Sequence, residues 1–151
     1  PWITRQLKEN TRPFVFVFGH SPAFHVTQSS DESEFQLFNV PAVRDQFWRL
    51  MVQNRVVAYI ASHEHFYTRG KRDSVYQIVQ GNGGATPFTY KPKEVDRSLT
   101  TVFPTKKIHQ RDIMPGFLVV TVDEESQTVT ATEKCITDDG SLIVFDTFVM
   151  R

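Results

Sequence analysis

Unbroken apolar runs alternate with a helical pattern through the first half of the chain. Between the apolar runs at 14–18 and 56–61, apolar side chains recur at helical spacing from about Pro41 to Gln53. Asn39 is a candidate N-cap for this helix, and Asn54 is a candidate for its end. The order strand, helix, strand predicts two parallel strands joined by a crossover helix. A shorter apolar spacing near Trp2 indicates the last turns of another helix. Three runs have the character of strands buried on both faces of a sheet: FVFVF at 14–18, VVAYIA at 56–61 and VYQIV at 75–79.

The last third of the chain changes to alternating apolar and polar positions, which is typical of half-buried antiparallel strands. Turn-forming residues at 123–126 and 138–141 separate them, and residues 86–115 are interpreted as loop because they contain several prolines, with a possible short strand at 101–103. The fold class predicted is therefore α/β (α+β), with a mixed sheet, few helices and C-terminal antiparallel strands. The three predicted antiparallel strands are 117–122, 127–136 and 142–150.

Composition narrows the function classes. The chain of 151 residues fits one domain, and its 17 basic and 17 acidic residues give a net charge of zero. A nucleic-acid-binding protein would usually show a basic excess, so we expect no nucleic-acid partner. No segment approaches the roughly 18 apolar residues of a membrane-spanning helix, so we expect no membrane partner. Cys135 is the one cysteine, which excludes an internal disulfide.

Histidines follow two of the buried runs directly. His20 comes after the first run, and the segment Ser62-His63-Glu64-His65 comes after the second. Because the carboxyl ends of parallel strands meet at one edge of a sheet, we expect these imidazoles to converge there. The glycine loop at 81–85 follows the third run and belongs to the same edge. Imidazole is a ligand for Zn, Fe and Mn, so the pattern predicts a metal site.

The spacing of His63 and His65 leaves two possibilities open. In extended backbone, residues two apart share a face, so the pair could bind one ion or two adjacent ions. Glu64 would then point away from both histidines. An isolated H-x-H is more often structural, with one histidine hydrogen-bonded and the other exposed. The third histidine, His20, at the end of a neighbouring strand favours metal.

The order GHSP, then SHEHFYTR, then VYQIVQGNGGA resembles the C-terminal half of the calcineurin-like metallophosphoesterases, with the purple acid phosphatase-like branch nearest. The likeness is spread over most of the chain, and H-x-H-x-Y-x-R is its most specific part. The family fold is a two-sheet sandwich flanked by helices. Its reaction is hydrolysis of a phosphate ester at a dinuclear metal centre.

The resemblance implies a role for each matching residue. His20 and His63 would bind one metal ion and His65 the other, the ions being divalent or trivalent Zn, Fe or Mn. Weaker candidates for contact with the phosphate-ester substrate are His25, Arg69, Gly83 and Gly84. Of these, His25 is more simply explained as an exposed loop residue, and Arg69 as a brace for the histidine segment.

Departures from the family pattern limit what this chain does alone. Ser62 replaces the usual glycine, which is tolerable if its φ is negative, and Thr68 stands where the branch often has glutamate. The D-x-H, G-D-x-x-[DY] and G-N-H-[DE] motifs, which supply the carboxylates, do not occur in the sequence. We therefore expect the C-terminal half of a metallophosphoesterase domain that lacks its N-terminal half. Such a chain would be inactive in isolation, would bind at most one ion weakly, and would tend to self-associate. The alternatives are a complete, non-catalytic metal-binding module and a β-sandwich interaction module.

Overall fold

The computed structural model describes residues 2–25, 36–86 and 114–151. A single 3-10 turn at Leu37–Asn39 precedes the longer of two helices. The elements in chain order are α1 (Trp2–Glu9), β1 (Phe16–Phe18), α2 (Pro41–Gln53), β2 (Ala58–Ala61), β3 (Tyr67–Arg72), β4 (Val75–Gln80), β5 (Gly116–Asp123), β6 (Thr128–Ile136) and β7 (Leu142–Val149).

The first sheet is mixed and has the order β1-β2-β4-β3. The strands β1, β2 and β4 are parallel, whereas β3 pairs antiparallel with β4. The predicted crossover through α2 is therefore confirmed. The sequence interpretation missed β3, because YTRGKR mixes apolar and charged residues and follows the histidine segment without a break.

Both faces of the central strands β2 and β4 are largely buried, which explains their unbroken apolar runs. Tyr59 and Ala61 of β2 face the helices, where Trp48 and Met51 of α2 join the same core. The alternate residues of β2 face the other way and pack against β6. This second core includes Ala58, Ile60, Ile78, Val129 and Ala131.

The second sheet is antiparallel, with the order β5-β6-β7. Each of its strands lies within a residue or two of the predicted bounds, and a bulge interrupts the pairing at Glu133/Lys134. One face of this sheet covers the mixed sheet. The predicted fold class, a mixed sheet with few helices and C-terminal antiparallel strands, is confirmed.

The ends of α2 show one correction. Val40, not Asn39, occupies the N-cap position, and no side chain caps the helix there. Pro41 stands at the first helical position, where its missing N–H costs nothing. Asn54 ends the helix as predicted, and its Nδ2 donates to the carbonyl of Leu50 at 2.7 Å. No helix in the described part of the chain is long and apolar enough to cross a membrane. The possible strand at 101–103 lies outside the described residues.

A buried polar contact ties the two sheets together. The Tyr67 hydroxyl and the Arg69 Nε both donate to Asp146 Oδ2, at 2.8 Å and 2.6 Å. The Arg69 guanidinium also stacks over the Phe148 ring, 4.2 Å from its centroid. Burial, together with the Asp146 charge, raises the pKa of Tyr67 far above its ordinary range, so the hydroxyl keeps its proton. Tyr67 and Arg69 thus brace the start of β3 against β7.

Gly81 gives the first testable prediction. A Cβ at Gly81 would collide with the backbone carbonyl of Glu64, which cannot move like a side-chain tip. We expect Gly81→Ala to lower the free energy of unfolding by about 3 kcal/mol, the upper end of the usual overpacking range. Gly83→Ala is the matched control, since nothing lies within 4 Å of its added Cβ. It should change stability by less than about 1 kcal/mol. Urea unfolding of both variants checks this, and equal losses would contradict it.

Candidate metal centre

His20 and His63 meet at the carboxyl edge of the mixed sheet. The hydrogen bond from Gly19 N to Ile60 O, at 3.1 Å, extends the β1–β2 pairing beyond the strands. The bond from Ser62 N to His20 O, at 3.0 Å, extends it further. The two imidazoles are consequently neighbours, with His63 Nδ1 lying 3.2 Å from His20 Nε2.

The separation of these two nitrogens fits a shared metal ion. Two imidazole nitrogens bound to one tetrahedral zinc at about 2.0–2.1 Å would lie about 3.3–3.4 Å apart. The observed 3.2 Å is within a few tenths of an ångström of that value. The same distance also suits a hydrogen bond, in which one ring carries the proton. A bound ion needs a lone pair on both nitrogens, so the two states differ in the tautomer of the ring that donates the hydrogen bond.

The histidine segment is not extended, which corrects the sequence interpretation. Glu64 N donates to Ser62 O and Phe66 N donates to Glu64 O, both at 2.8 Å, so two three-residue turns follow one another. The first turn is centred on His63, whose φ is +66°, the strained form of the γ-turn. Ser62 is not among the residues with positive φ, so serine fits where the family often has glycine. Glu64 is fully buried.

His65 is oriented by the loop that follows β4. Its Nδ1 lies 2.7 Å from the Thr86 carbonyl oxygen. Since a carbonyl only accepts, Nδ1 must carry the proton, and the lone pair is on Nε2. A backbone carbonyl on the far ring nitrogen is the usual partner of a metal-ligating histidine. The chemistry of His65 therefore fits a ligand that binds through Nε2.

The predicted convergence is confirmed for His20 and His63 only. Within residues 2–25, 36–86 and 114–151, no three His, Cys, Asp or Glu side chains are placed to hold one ion. The described part of the chain thus offers a pair of imidazoles and, separately, an oriented third.

The weaker substrate candidates lie in different surroundings. His25 stacks edge-on against Phe38, which in turn lies 6.4 Å from the His63 ring. Gly83 and Gly84 are exposed, and the φ of +116° at Gly84 requires glycine. Arg69 is held by Asp146, so the geometry supports its bracing role. Substrate contact by these residues stays a prediction.

A buried glutamine, which the sequence interpretation missed, fixes the loop behind His20. Gln77 Oε1 accepts from the backbone N–H groups of Ala23 and Phe24, both at 2.9 Å. Its Nε2 donates to the Phe24 carbonyl at 2.7 Å. The Tyr59 hydroxyl donates to the carbonyl of Ser21 at 2.6 Å. Polar residues within an apolar strand, such as the glutamine in VYQIV, were the available signal.

A second missed cluster lies under the glycine loop. Glu133 of β6 is fully buried, and its Oε1 accepts from Asn82 Nδ2 at 2.9 Å. Burial raises the pKa of Glu133 above its ordinary value of 4.5, although hydrogen bonds from Asn82 and Gln80 oppose the shift. Burial and the neighbouring Glu133 raise the pKa of Cys135 to about 12, so it remains a thiol.

Two solved structures share this arrangement of helices and strands. The purple acid phosphatase PPD1 from yellow lupin (Lupinus luteus) seeds has a TM-score of 0.69 and 18% identity to this chain, covering 98% of this chain and 27% of its own. GAP50, the anchor in the inner membrane complex of Plasmodium, has a TM-score of 0.60 and 15% identity, covering 97% of this chain and 39% of its own. No family model and no curated protein sequence matches the chain. The likeness shows a calcineurin-like fold. The chain spans well under half the length of either neighbour.

The buried Glu133 carboxyl makes a prediction about pH. Because its folded-state pKa is raised, its contribution to stability is full below about pH 4.5 and is lost as pH rises through the folded-state pKa. Glu133→Gln cannot ionise and escapes this loss. We therefore expect the unfolding free energy of Glu133→Gln, relative to the unaltered chain, to increase between about pH 4 and about pH 8.

Urea unfolding at several pH values measures the difference. Glu125→Gln, on an exposed turn, is the matched control and should show a nearly constant difference across the range. A difference that is equally flat for Glu133→Gln would contradict the raised pKa.

Proposed function

We propose that this chain is the C-terminal part of a metal-dependent phosphoesterase with a dinuclear centre. His20 and His63 bind one ion, and His65 binds the other. The ions are divalent or trivalent Zn, Fe or Mn, and the substrate is a phosphate ester. The chain is inactive by itself, because the carboxylate ligands belong to a preceding part of the protein.

The observation that carries the proposal is the 3.2 Å separation of His20 Nε2 and His63 Nδ1. It occurs at the carboxyl edge of a parallel β1–β2 pair, the edge at which α/β sheets hold their ligands. The His65 tautomer set by Thr86 supports a separate ligand role. The calcineurin-like fold, shared with a purple acid phosphatase, supports phosphate-ester hydrolysis in particular.

The chain's own residues would bind and orient the metal centre. When bound, two ions activate the attacking water and stabilise charge on the phosphoryl oxygens. His20 and His63 supply lone pairs from β1 and β2, while the Gln77 contacts keep the loop after His20 in place. Gly83 and Gly84 are exposed beside the segment that ends in Thr86, where backbone N–H groups would be accessible to a phosphate oxygen.

Charge explains why two ions need a further part of the protein. Two doubly charged ions about 3.5 Å apart repel by about 19 kcal/mol at an effective dielectric of about 20. Neutral imidazoles bring no negative charge to offset this. In the described sheet β1 has an unpaired edge, and Phe18 on that strand is 72% exposed. An open apolar edge supports both a missing partner segment and self-association of this chain.

A second candidate function is a self-contained, non-catalytic module that binds metal or a partner protein. One observation favours the form that binds a partner protein: the structural neighbour GAP50 is the anchor in the inner membrane complex of Plasmodium. The number of ions bound per chain distinguishes a half-site, which binds one ion weakly, from a complete metal site. Hydrolysis of a phosphate ester distinguishes an enzyme from a non-catalytic module.

We expect the chain to bind one Zn²⁺ weakly, through His20 and His63. Binding should weaken in acid, because protonated imidazole cannot act as a ligand. His63→Ala should abolish saturable binding. His25→Ala, which removes a nearby imidazole outside the pair, is the matched control and should leave it unchanged. Isothermal titration of metal-stripped protein measures both, and two tight sites per chain would show that the half-site proposal is wrong.

We also expect the chain alone to show no metal-dependent hydrolysis of p-nitrophenyl phosphate. Coexpression with the preceding part of the same gene product, or expression as one chain, should produce activity. His63→Ala in that longer protein should remove most of this activity, with Zn²⁺, Mn²⁺ or Fe supplied in turn. Robust turnover by the 151-residue chain alone would contradict the proposal and would place a complete centre within it.

A further inference from the structure

A carboxyl group with no exposure to solvent lies between the two sheets, beneath the glycine loop. Glu133 belongs to β6, and besides the Asn82 bond its Oε1 lies 3.3 Å from Gln80 Nε2. Gly116 leaves room for this contact, since a Cβ there would come within 2.7 Å of Asn82 Nδ2 and 2.5 Å of Glu133 Oε1. A buried carboxyl costs free energy unless hydrogen bonds such as these offset the loss of water.

Asn82 connects Glu133 to the glycine loop through further hydrogen bonds. Its Nδ2 also donates to the Met114 carbonyl at 3.0 Å, and its own backbone carbonyl accepts from Gly116 N at 2.8 Å. Its Oδ1 accepts from Gln80 Nε2 at 2.6 Å. With only 4% of its surface exposed, Asn82 is fixed on every side by the second sheet and by β4.

The loop on either side of Asn82 touches the histidine segment twice. Gly81 packs directly on the Glu64 carbonyl and donates its N–H to Phe66 O at 3.0 Å. Four residues after Asn82, the Thr86 carbonyl accepts from His65 Nδ1. Glu133 in the second sheet and His65 in the segment before β3 are thus connected through a single short loop.

We propose that Glu133 is a positioning residue for His65: it anchors Asn82, holds the 81–86 loop against the histidine segment, and so keeps the Thr86 carbonyl on Nδ1–H. This deepens the proposed function, on which its metal role rests, because the Nδ1–H tautomer is the one that leaves the Nε2 lone pair for an ion. The tautomer itself exists without metal. It can therefore be tested separately.

The test reads the imidazole tautomers of the metal-free chain by long-range ¹H–¹⁵N correlation, at a pH well above the ordinary histidine pKa of about 6.5. In the unaltered chain His65 should show the Nδ1–H pattern. Glu133→Ala should shift His65 to a mixture of both tautomers while the His20 and His63 signals stay in place. Glu133→Gln keeps an oxygen acceptor for Asn82 and should restore the Nδ1–H pattern. Glu125→Ala, on an exposed turn, should change nothing.

The outcomes separate a positioning role from a structural one. If Glu133→Ala does not fold, Glu133→Asp withdraws the carboxyl from Asn82 with less disruption and should give the same mixture. A folded variant without the Asn82 contact that retains pure Nδ1–H on His65 would overturn the proposal. An equal change in the tautomer signals of His20, His63 and His65 would also overturn it. Zn²⁺ titration of the same variants is independent: absence of His63-dependent binding would sink the metal function and leave the tautomer result standing.

Discussion

The parallel register of β1 and β2 is the constraint on which the site depends. Phe18 lies opposite Ile60, and the pairing continues beyond the strands until Ser62 N donates to His20 O. A slip of one residue would turn every side chain of β1 to the opposite face. It would also separate the imidazoles of His20 and His63. The observed register therefore places the imidazoles of His20 and His63 side by side.

Much of the fold could be predicted because burial leaves a direct trace in the sequence. Strands buried on both faces require continuous apolar runs, and half-buried strands require alternation. Both patterns placed their strands correctly, with β7 at Leu142–Val149 against a prediction of 142–150. The crossover through α2 followed from the spacing of the runs. Those elements in turn gave the proximity of His20 and His63, since strand ends on one edge of a parallel sheet are neighbours.

The rest depended on contacts that no local pattern reports. β3 was missed because its inward residues, Tyr67 and Arg69, are satisfied by Asp146, which lies 77 residues beyond Arg69. Glu133 reads in sequence as a polar position in an alternating strand. Its Oε1 accepts a hydrogen bond from Asn82, 51 residues earlier, which offsets part of the cost of its burial. Burying a polar group without a hydrogen-bond partner costs free energy, and the partners of Arg69 and Glu133 are distant in sequence.

The conformation of the histidine segment differs from the extended backbone assumed when its spacing was interpreted. In extended backbone, His63 and His65 would share a face and could bind one ion or two adjacent ions. Instead, two three-residue turns follow one another, centred on His63 and on His65. The φ angle is positive at His63 and not at His65, so the two turns have different backbone conformations. The left-handed region costs a non-glycine residue about 1–2 kcal/mol, and such strain persists only where the surroundings impose it. In this conformation His63 contacts His20, whereas His65 contacts the Thr86 carbonyl in the loop after β4. Under the proposed function, this separation of His63 from His65 would suit two adjacent ions, which is the arrangement that metal-dependent hydrolysis of phosphate esters uses.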